Sequence, residues 1–277
     1  MKKNNLNQSD FENFGYFPTK ELVEIVNASL SLKKPLLLEG PAGTGKTFLA
    51  KTLANILETD LIRLQCHEGI DEDKALYEWD YKKQLLSLQS KDKKNDLFTL
   101  EYLIERPILH SLRSSKDSVF LIDEIDRSDE EFESLLLEIL AENQITIPEI
   151  GTIQSNNNNL TILTSNSTRE LSDALRRRCL YFYLDYPTIE LETKVLLHSI
   201  KNLKTEDAKK YSVLGSFIRK LGLNKPPSLI ESVEWVNYNN QANENSLTAN
   251  LGILLKDKED QKIYIEKLNQ ENVFKNQ

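Results

Sequence analysis

Short apolar runs alternate along this chain with longer stretches in which apolar positions recur every three or four residues. The runs are PLLLEG (35–40), LIRLQC (61–66), SVFLIDE (118–124), LTILTSN (160–166) and LYFYLDY (180–186). Several are apolar without alternation, as in strands buried on both faces of a parallel sheet. Between them the spacing predicts helices at 46–57, 98–113, 129–142 and 172–178. An earlier helix, from Pro18 to Leu30, follows from Leu22, Ile25, Val26 and Leu30. Strands alternating with helices predict a parallel sheet covered by helices. From about Tyr186 the strand pattern stops and helical spacing continues to the end. The expected organisation is a polar leader at 1–17, an α/β domain at 18–187 and a small helical domain at 188–277.

Two segments break the alternation. Residues 67–97 are rich in charge and include the partly amphipathic ALYEWDYKKQLLSL. Residues 144–157, QITIPEIGTIQSNN, flank Pro148 and Gly151 with β-branched residues, which predicts a hairpin. Its alternating Ile145, Ile147 and Ile150 could serve a partner or pack on their own domain. Asparagine runs at 156–159 and 237–245 read as solvated loops.

Charge and cysteine content narrow the function. The net charge of −8, from 43 acidic and 35 basic residues, supplies no global basic field for nucleic acid or an anionic membrane. The two cysteines, Cys66 and Cys179, form no CxxC pair. Neither a disulfide framework nor a zinc site is expected. The N-terminus lacks the apolar stretch of a signal peptide, and no run approaches a membrane span. A cytoplasmic protein without membrane insertion is expected.

The chemistry begins at Gly40-Pro41-Ala42-Gly43-Thr44-Gly45-Lys46-Thr47. This matches G-x-x-x-x-G-K-[ST], with a strand before it and a helix after. Glycines let backbone N–H groups converge on phosphates, and the helix adds its positive end. Lys46 would reach the β- and γ-phosphates and Thr47 would ligate Mg²⁺. In VFLIDEID (119–126), Asp123 and Glu124 sit at the C-terminal edge of a buried strand, where ligands of such sheets bind. Asp123 is expected to hold the Mg²⁺ shell and Glu124 to act as general base toward water. Asn166 ends the next apolar strand and could orient that water. Arg176, Arg177 and Arg178 are consecutive, so they fan around a helix end and cannot all serve one site.

Together GPAGTGKT, FLIDEID, TSN and DALRRRC resemble the AAA+ ATPases, and more narrowly the MoxR group. ALYEWDYKKQLL, ITIPEIGTI and LTSNSTRELSDALRRRCLYFYLDYP are similar to the CoxD-type subgroup, associated with maturation of carbon monoxide dehydrogenase and related molybdenum enzymes. The likeness runs from about residue 16 to 238. It implies an AAA+ P-loop domain with a five-stranded parallel sheet, a helix-2 insert, a hairpin before sensor 1 and an all-helical lid. It implies ATP and Mg²⁺ as cofactors and a homo-oligomeric, usually hexameric, ring. Gly40, Gly45, Lys46 and Thr47 would be Walker A, Asp123 and Glu124 Walker B, and Asn166 sensor 1. Arg178 would be the finger acting on a neighbour's nucleotide, with Arg177 the lesser candidate. Tyr16 and Phe17 lie where such proteins contact adenine. One departure is the lid segment NKPPSLIESVEWV, where Ser228 and Glu231 form a capped helix start in place of the sensor 2 arginine. Lys225 is the nearby cation.

The function expected is ATP-driven remodelling of a client enzyme, with a von Willebrand factor A (VWA) domain partner. The alternatives are a DNA-directed motor and a nucleotide-gated binding module without hydrolysis. Nucleic acid is not the expected partner on charge grounds, and the paired Glu124 and Asn166 argue against a module that only binds.

Overall fold

The computed structural model describes residues 5–89, 96–155, 157–242 and 246–271. The parts of the expected leader, insertion and asparagine runs at 1–4, 90–95, 156 and 243–245 lie outside the described residues. The described chain divides into two compact units. The first holds the residues up to Phe14, Pro18–Gly40 and Lys46–Leu184. The second holds Gly15–Phe17, Pro41–Gly45 and the chain from Asp185 onward.

In the first unit, β1 (Leu36–Glu39), β2 (Asp60–Gln65), β5 (Ser118–Asp123), β8 (Leu160–Ser165) and β9 (Leu180–Tyr183) form one sheet in the order β2-β5-β8-β1-β9. Every pairing is parallel. β5 is buried at all six positions, which explains its unbroken apolar run. Edge strand β2 alternates instead, with Ile62 and Leu64 buried and Arg63 and Gln65 outward. The helices of this unit are α1 (Gln8–Glu12), α2 (Lys20–Leu32), α3 (Lys46–Leu57), α4 (Glu72–Ala75), α5 (Tyr81–Gln89), α6 (Pro107–Arg113), α7 (Glu130–Glu142) and α8 (Asp173–Arg178). Leu37, Phe120, Ile122, Leu163 and Leu136 belong to its core.

Three expectations need correction. The helix expected over 98–113 is a 3-10 turn (Leu100–Tyr102), then β4 (Leu103–Glu105), then α6. Pro107 is the reason: it takes the first helical position and holds Arg106 extended, at φ −95° and ψ 171°. β4 pairs antiparallel with β3 (Tyr77–Trp79), so a small sheet joins the insertion to the segment that follows it. The leader is not merely polar. Leu6 and Phe11 are fully buried, and the Asn27 side chain bonds both the N–H and the carbonyl of Leu6, at 2.8 and 2.9 Å.

Of the two roles open to the hairpin isoleucines, packing prevails. β6 (Gln144–Ile147) pairs antiparallel with β7 (Gly151–Gln154), and Ile145 and Ile147 are buried in the core with Ile150 against it. The asparagine runs are not simply solvated. Asn157 donates to the carbonyls of Ser111 and Ser114, and Asn159 Oδ1 accepts from the N–H and hydroxyl of Ser118. Residues 237–241 close a helix in which Asn239 is fully buried.

The second unit is helical: α9 (Ile189–Ser199), α10 (Thr205–Arg219), α11 (Leu229–Gln241), α12 (Leu251–Leu254) and α13 (Lys258–Glu271). Its core gathers Leu196, Leu214, Ile218, Trp235, Leu254 and Tyr264. A buried ion pair ties α9 to α10, with Arg219 Nη1 and Nη2 at 2.7 and 2.9 Å from Glu192. The capped start expected for α11 is present, Ser228 and Glu231 bonding each other's backbone N–H. Among the described residues no helix is long and apolar enough to cross a membrane.

Candidate nucleotide site

β1 ends at Glu39, and the chain turns through Gly40 into the phosphate-loop motif. Gly40 has φ +151°, and a Cβ there would stand 2.1 Å from the Leu184 carbonyl oxygen. Only glycine fits. Gly43, at φ +75°, is equally constrained: a Cβ would meet that of Ser228 at 2.1 Å. Tyr16 is buried, and its ring lies 3.5 Å from a Cβ built on Gly45. Phe17 instead packs edge-on to His198, with ring centroids 5.5 Å apart.

Lys46 opens α3 and is only 6% exposed. Its Nζ donates to the Gly40 carbonyl at 2.6 Å. Burial pushes its pKa down to about 8, although Asp126, Asp123, Glu124 and Glu39 all favour the charged form. Desolvation prevails over four carboxylates. Beside it, Thr47 Oγ1 lies 3.0 Å from Asp123 Oδ1 and 3.3 Å from Oδ2. Asp123, at the end of β5, is almost fully buried. Thr164 Oγ1 donates to its Oδ1 at 2.5 Å, while Arg63 Nε and Nη2 donate to its Oδ2 at 3.0 and 2.6 Å.

Glu124 adopts a left-handed conformation, φ 57° and ψ 49°, that carries its side chain out of the strand line. Its N–H donates to Thr164 Oγ1 at 2.9 Å, and its carboxylate faces Arg127 Nε at 3.0 Å. Asn166 is placed by a residue the motif reading passed over. Asp126 Oδ2 accepts from the Asn166 N–H at 3.1 Å, the Thr168 N–H at 2.9 Å and the Thr168 hydroxyl at 2.6 Å. Burial raises the Asp126 pKa, but these donors together outweigh it and hold the carboxyl below its usual range. The next turn is pinned through Glu133, which accepts from Arg169 at 2.5 Å and the Ser172 N–H at 3.0 Å.

The arginine triplet resolves into different roles. Arg176 Nη1 is 3.7 Å from Glu39 Oε2, and its guanidinium lies over Tyr181 at 5.3 Å. Arg177 and Arg178 are exposed, and Arg178 Nη1 donates to the Ala174 carbonyl of its own helix at 3.2 Å. Lys225 is exposed, its N–H bonded to Asp260. Sequence reasoning missed Arg63, Asp126, Glu39 and Thr164. Arg63 and Gln65 had left a signal, two polar residues on one face of a strand next to the acidic strand end. A cavity of about 680 Å³, lined by Lys33, Lys34, Ser111, Asn143, Asn157 and Asn159 among others, contains none of the residues of this site.

The family model for the AAA domain (dynein-related subfamily) matches residues 35–179, from the start of β1 to the end of the arginine helix. The chain belongs to this AAA family. It is 24% identical over 169 residues to an uncharacterized protein of Staphylococcus epidermidis, the match covering 59% of this chain and 60% of that one. An uncharacterized protein of Staphylococcus aureus matches at 24% over 165 residues, 57% of this chain and 58% of its own. The chain thus spans about three fifths of the curated relatives it matches. In fold it is similar to a mutant RuvB of Thermotoga maritima, with TM-score 0.51 and 17% identity, over 97% of this chain and 74% of that one. The parallel sheet with a helical C-terminal region is therefore the AAA+ α/β fold. The family is one of nucleotide-hydrolysing ATPases whose members commonly assemble as rings.

Proposed function

We propose that the chain binds Mg·ATP and hydrolyses it to drive remodelling of a client protein, in the manner of the MoxR group. The observation that carries the reading is the convergence of Lys46, Thr47, Asp123 and the Asn166 loop at the C-terminal ends of β1, β5 and β8. Thr47 Oγ1 and Asp123 Oδ1, 3.0 Å apart, are the hydroxyl-and-carboxylate oxygen pair that suits Mg²⁺ beside phosphate. When bound, that ion would neutralise charge developing on the phosphates. Gly40, Pro41, Ala42, Gly43, Thr44 and Gly45 would wrap the phosphates, with Lys46 as a point charge on the β- and γ-oxygens. Glu124 would take the proton of the attacking water, and Asn166 would orient that water.

Arg178, uncommitted to any carboxylate of its own chain in the described contacts, would reach a neighbour's γ-phosphate within a hexameric ring. The insertion supports a protein client: α5 exposes Tyr81, Leu85 and Leu88 at three- and four-residue spacing. The sequence likeness to the CoxD-type subgroup supports maturation of a metal-centre enzyme with a VWA-domain partner.

Glu124→Gln tests the chemistry. The amide cannot accept a proton, so turnover should fall on the order of 10²–10⁴-fold while ATP still binds. Turnover near that of the unmodified chain would remove Glu124 from its role. Stimulation of the unmodified ATPase by single-stranded DNA, lost as salt rises, would replace the protein client with a nucleic-acid track.

A further inference from the structure

Arg63 lies on edge strand β2, and the β2–β5 register sets Gln65 opposite Asp123. From one pleat back its guanidinium reaches forward to that carboxylate. Nε and Nη2 both donate to Asp123 Oδ2, at 3.0 and 2.6 Å, while Nη2 also contacts Gln65 Oε1. The other carboxylate oxygen takes the Thr164 hydroxyl at 2.5 Å. The two side chains differ sharply in exposure, 4% for Asp123 and 45% for Arg63. A half-exposed cation therefore covers the outward oxygen of a buried anion.

We propose that Arg63 is a displaceable counter-ion that competes with the divalent cation for Asp123, and so sets the Mg²⁺ concentration that nucleotide binding requires. A buried carboxylate left without a cation is costly, and Arg63 offsets that cost at Asp123. A small hard cation seeks the same carboxylate beside the Thr47 hydroxyl. A divalent cation at Oδ1 and a guanidinium at Oδ2 of the same carboxylate stand close enough for strong mutual repulsion. Asp123 is fixed by β5 and Thr164, whereas Arg63 has a long side chain on an edge strand and an alternative acceptor in Gln65. Arg63 is the partner that yields. The inference rests on the reading of Thr47 and Asp123 as the cation-holding pair.

The test titrates MgCl₂ into the EDTA-treated full chain with a fluorescent ADP analogue, and follows Mn²⁺ binding by electron paramagnetic resonance. Arg63→Met should lower the Mg²⁺ half-point about tenfold, the scale of one charge-assisted hydrogen bond at a half-exposed group. Nucleotide binding in EDTA should stay the same. Arg63→Gln, which keeps a donor without the charge, should shift the half-point in the same direction, and Arg63→Lys should restore most of the original requirement. An unchanged or raised half-point in both Arg63→Met and Arg63→Gln would overturn the proposal. If the unmodified chain binds nucleotide with no Mg²⁺ dependence, the cation site itself is misassigned and the counter-ion role falls with it.

Discussion

Nucleotide affinity should fall with rising pH as Lys46 loses its proton. Burial holds this ammonium at a pKa of about 8, against an ordinary value near 10.5. Phosphate oxygens at bonding distance would return it to at least the ordinary value, so binding above pH 8 takes up a proton. Between about pH 7.5 and about pH 9.5 the dissociation constant should rise roughly 20-fold, about 1.8 kcal/mol. The neighbouring thiols and phenol stay out of this window. Burial pushes Cys66 and Cys179 up to about 12, and raises the Tyr16 hydroxyl further still. The nucleotide's phosphates are already fully ionised there.

Stability of the nucleotide-free protein should move the opposite way. Between about pH 8 and about pH 10.5 the unfolded chain binds more protons at Lys46 than the folded one, so this residue's contribution raises stability with pH. The full range is at most about 3.4 kcal/mol, and below about pH 8 the whole cost of burying the charge is present. Calorimetry in two buffers of different ionisation heat, near pH 9, would count the protons taken up. Lys46→Met should bind nucleotide poorly and lose the stability trend. A dissociation constant flat across the window with no proton uptake would refute the assignment of Lys46 as a desolvated phosphate ligand.

Two further outcomes follow from the packing. Ile147→Ser should destabilise the first unit by about 3 kcal/mol, with melting temperature and ATPase activity falling together, because the site is fully buried in the core. Lost activity at an unchanged melting temperature would instead give the hairpin isoleucines a partner to contact. Arg178→Ala should bind ATP but hydrolyse it on the order of 10³-fold more slowly, and mixing it with Lys46→Ala should recover activity. Mixed rings showing only the sum of the two separate activities would deny the finger its neighbour.

Much of the fold was legible because its three central strands, β1, β5 and β8, are buried on both faces. Unbroken apolar runs such as VFLID leave little room for another reading, and the observed strands fall within a residue or so of their predicted starts. The insertion was harder, because a three-residue strand such as β4 is too short to show a period. Pro107 was the available signal, since a helix cannot run through it from Phe98. In the site, motif spacing reached the residues that would meet the nucleotide directly. It could not reach Asp126, Thr164 or Arg63, whose roles come from the register of β2, β5 and β8 and not from chain proximity. The leader's docking was hidden for a similar reason, since a lone Leu6 and Phe11 in polar surroundings carry no periodicity.

The arginine triplet shows why three identical residues are not redundant. Arg176 is committed within its own chain, paired with Glu39 and stacked on Tyr181. Glu39 uses its other oxygen to accept the Ser167 hydroxyl at 2.7 Å. One carboxylate, at the end of the strand leading into the phosphate loop, thus touches both the loop after Asn166 and the helix that carries the arginines. Arg176 sits in the last turn of α8, where a cation is also favoured by the helix end. With Arg176 anchored, the hundred-degree step per helical residue turns Arg177 and Arg178 away from Glu39 and into solvent. A single arginine could not both hold the helix to β1 and project from it. The geometry therefore assigns the anchoring to Arg176 and leaves Arg177 and Arg178 exposed at the helix end.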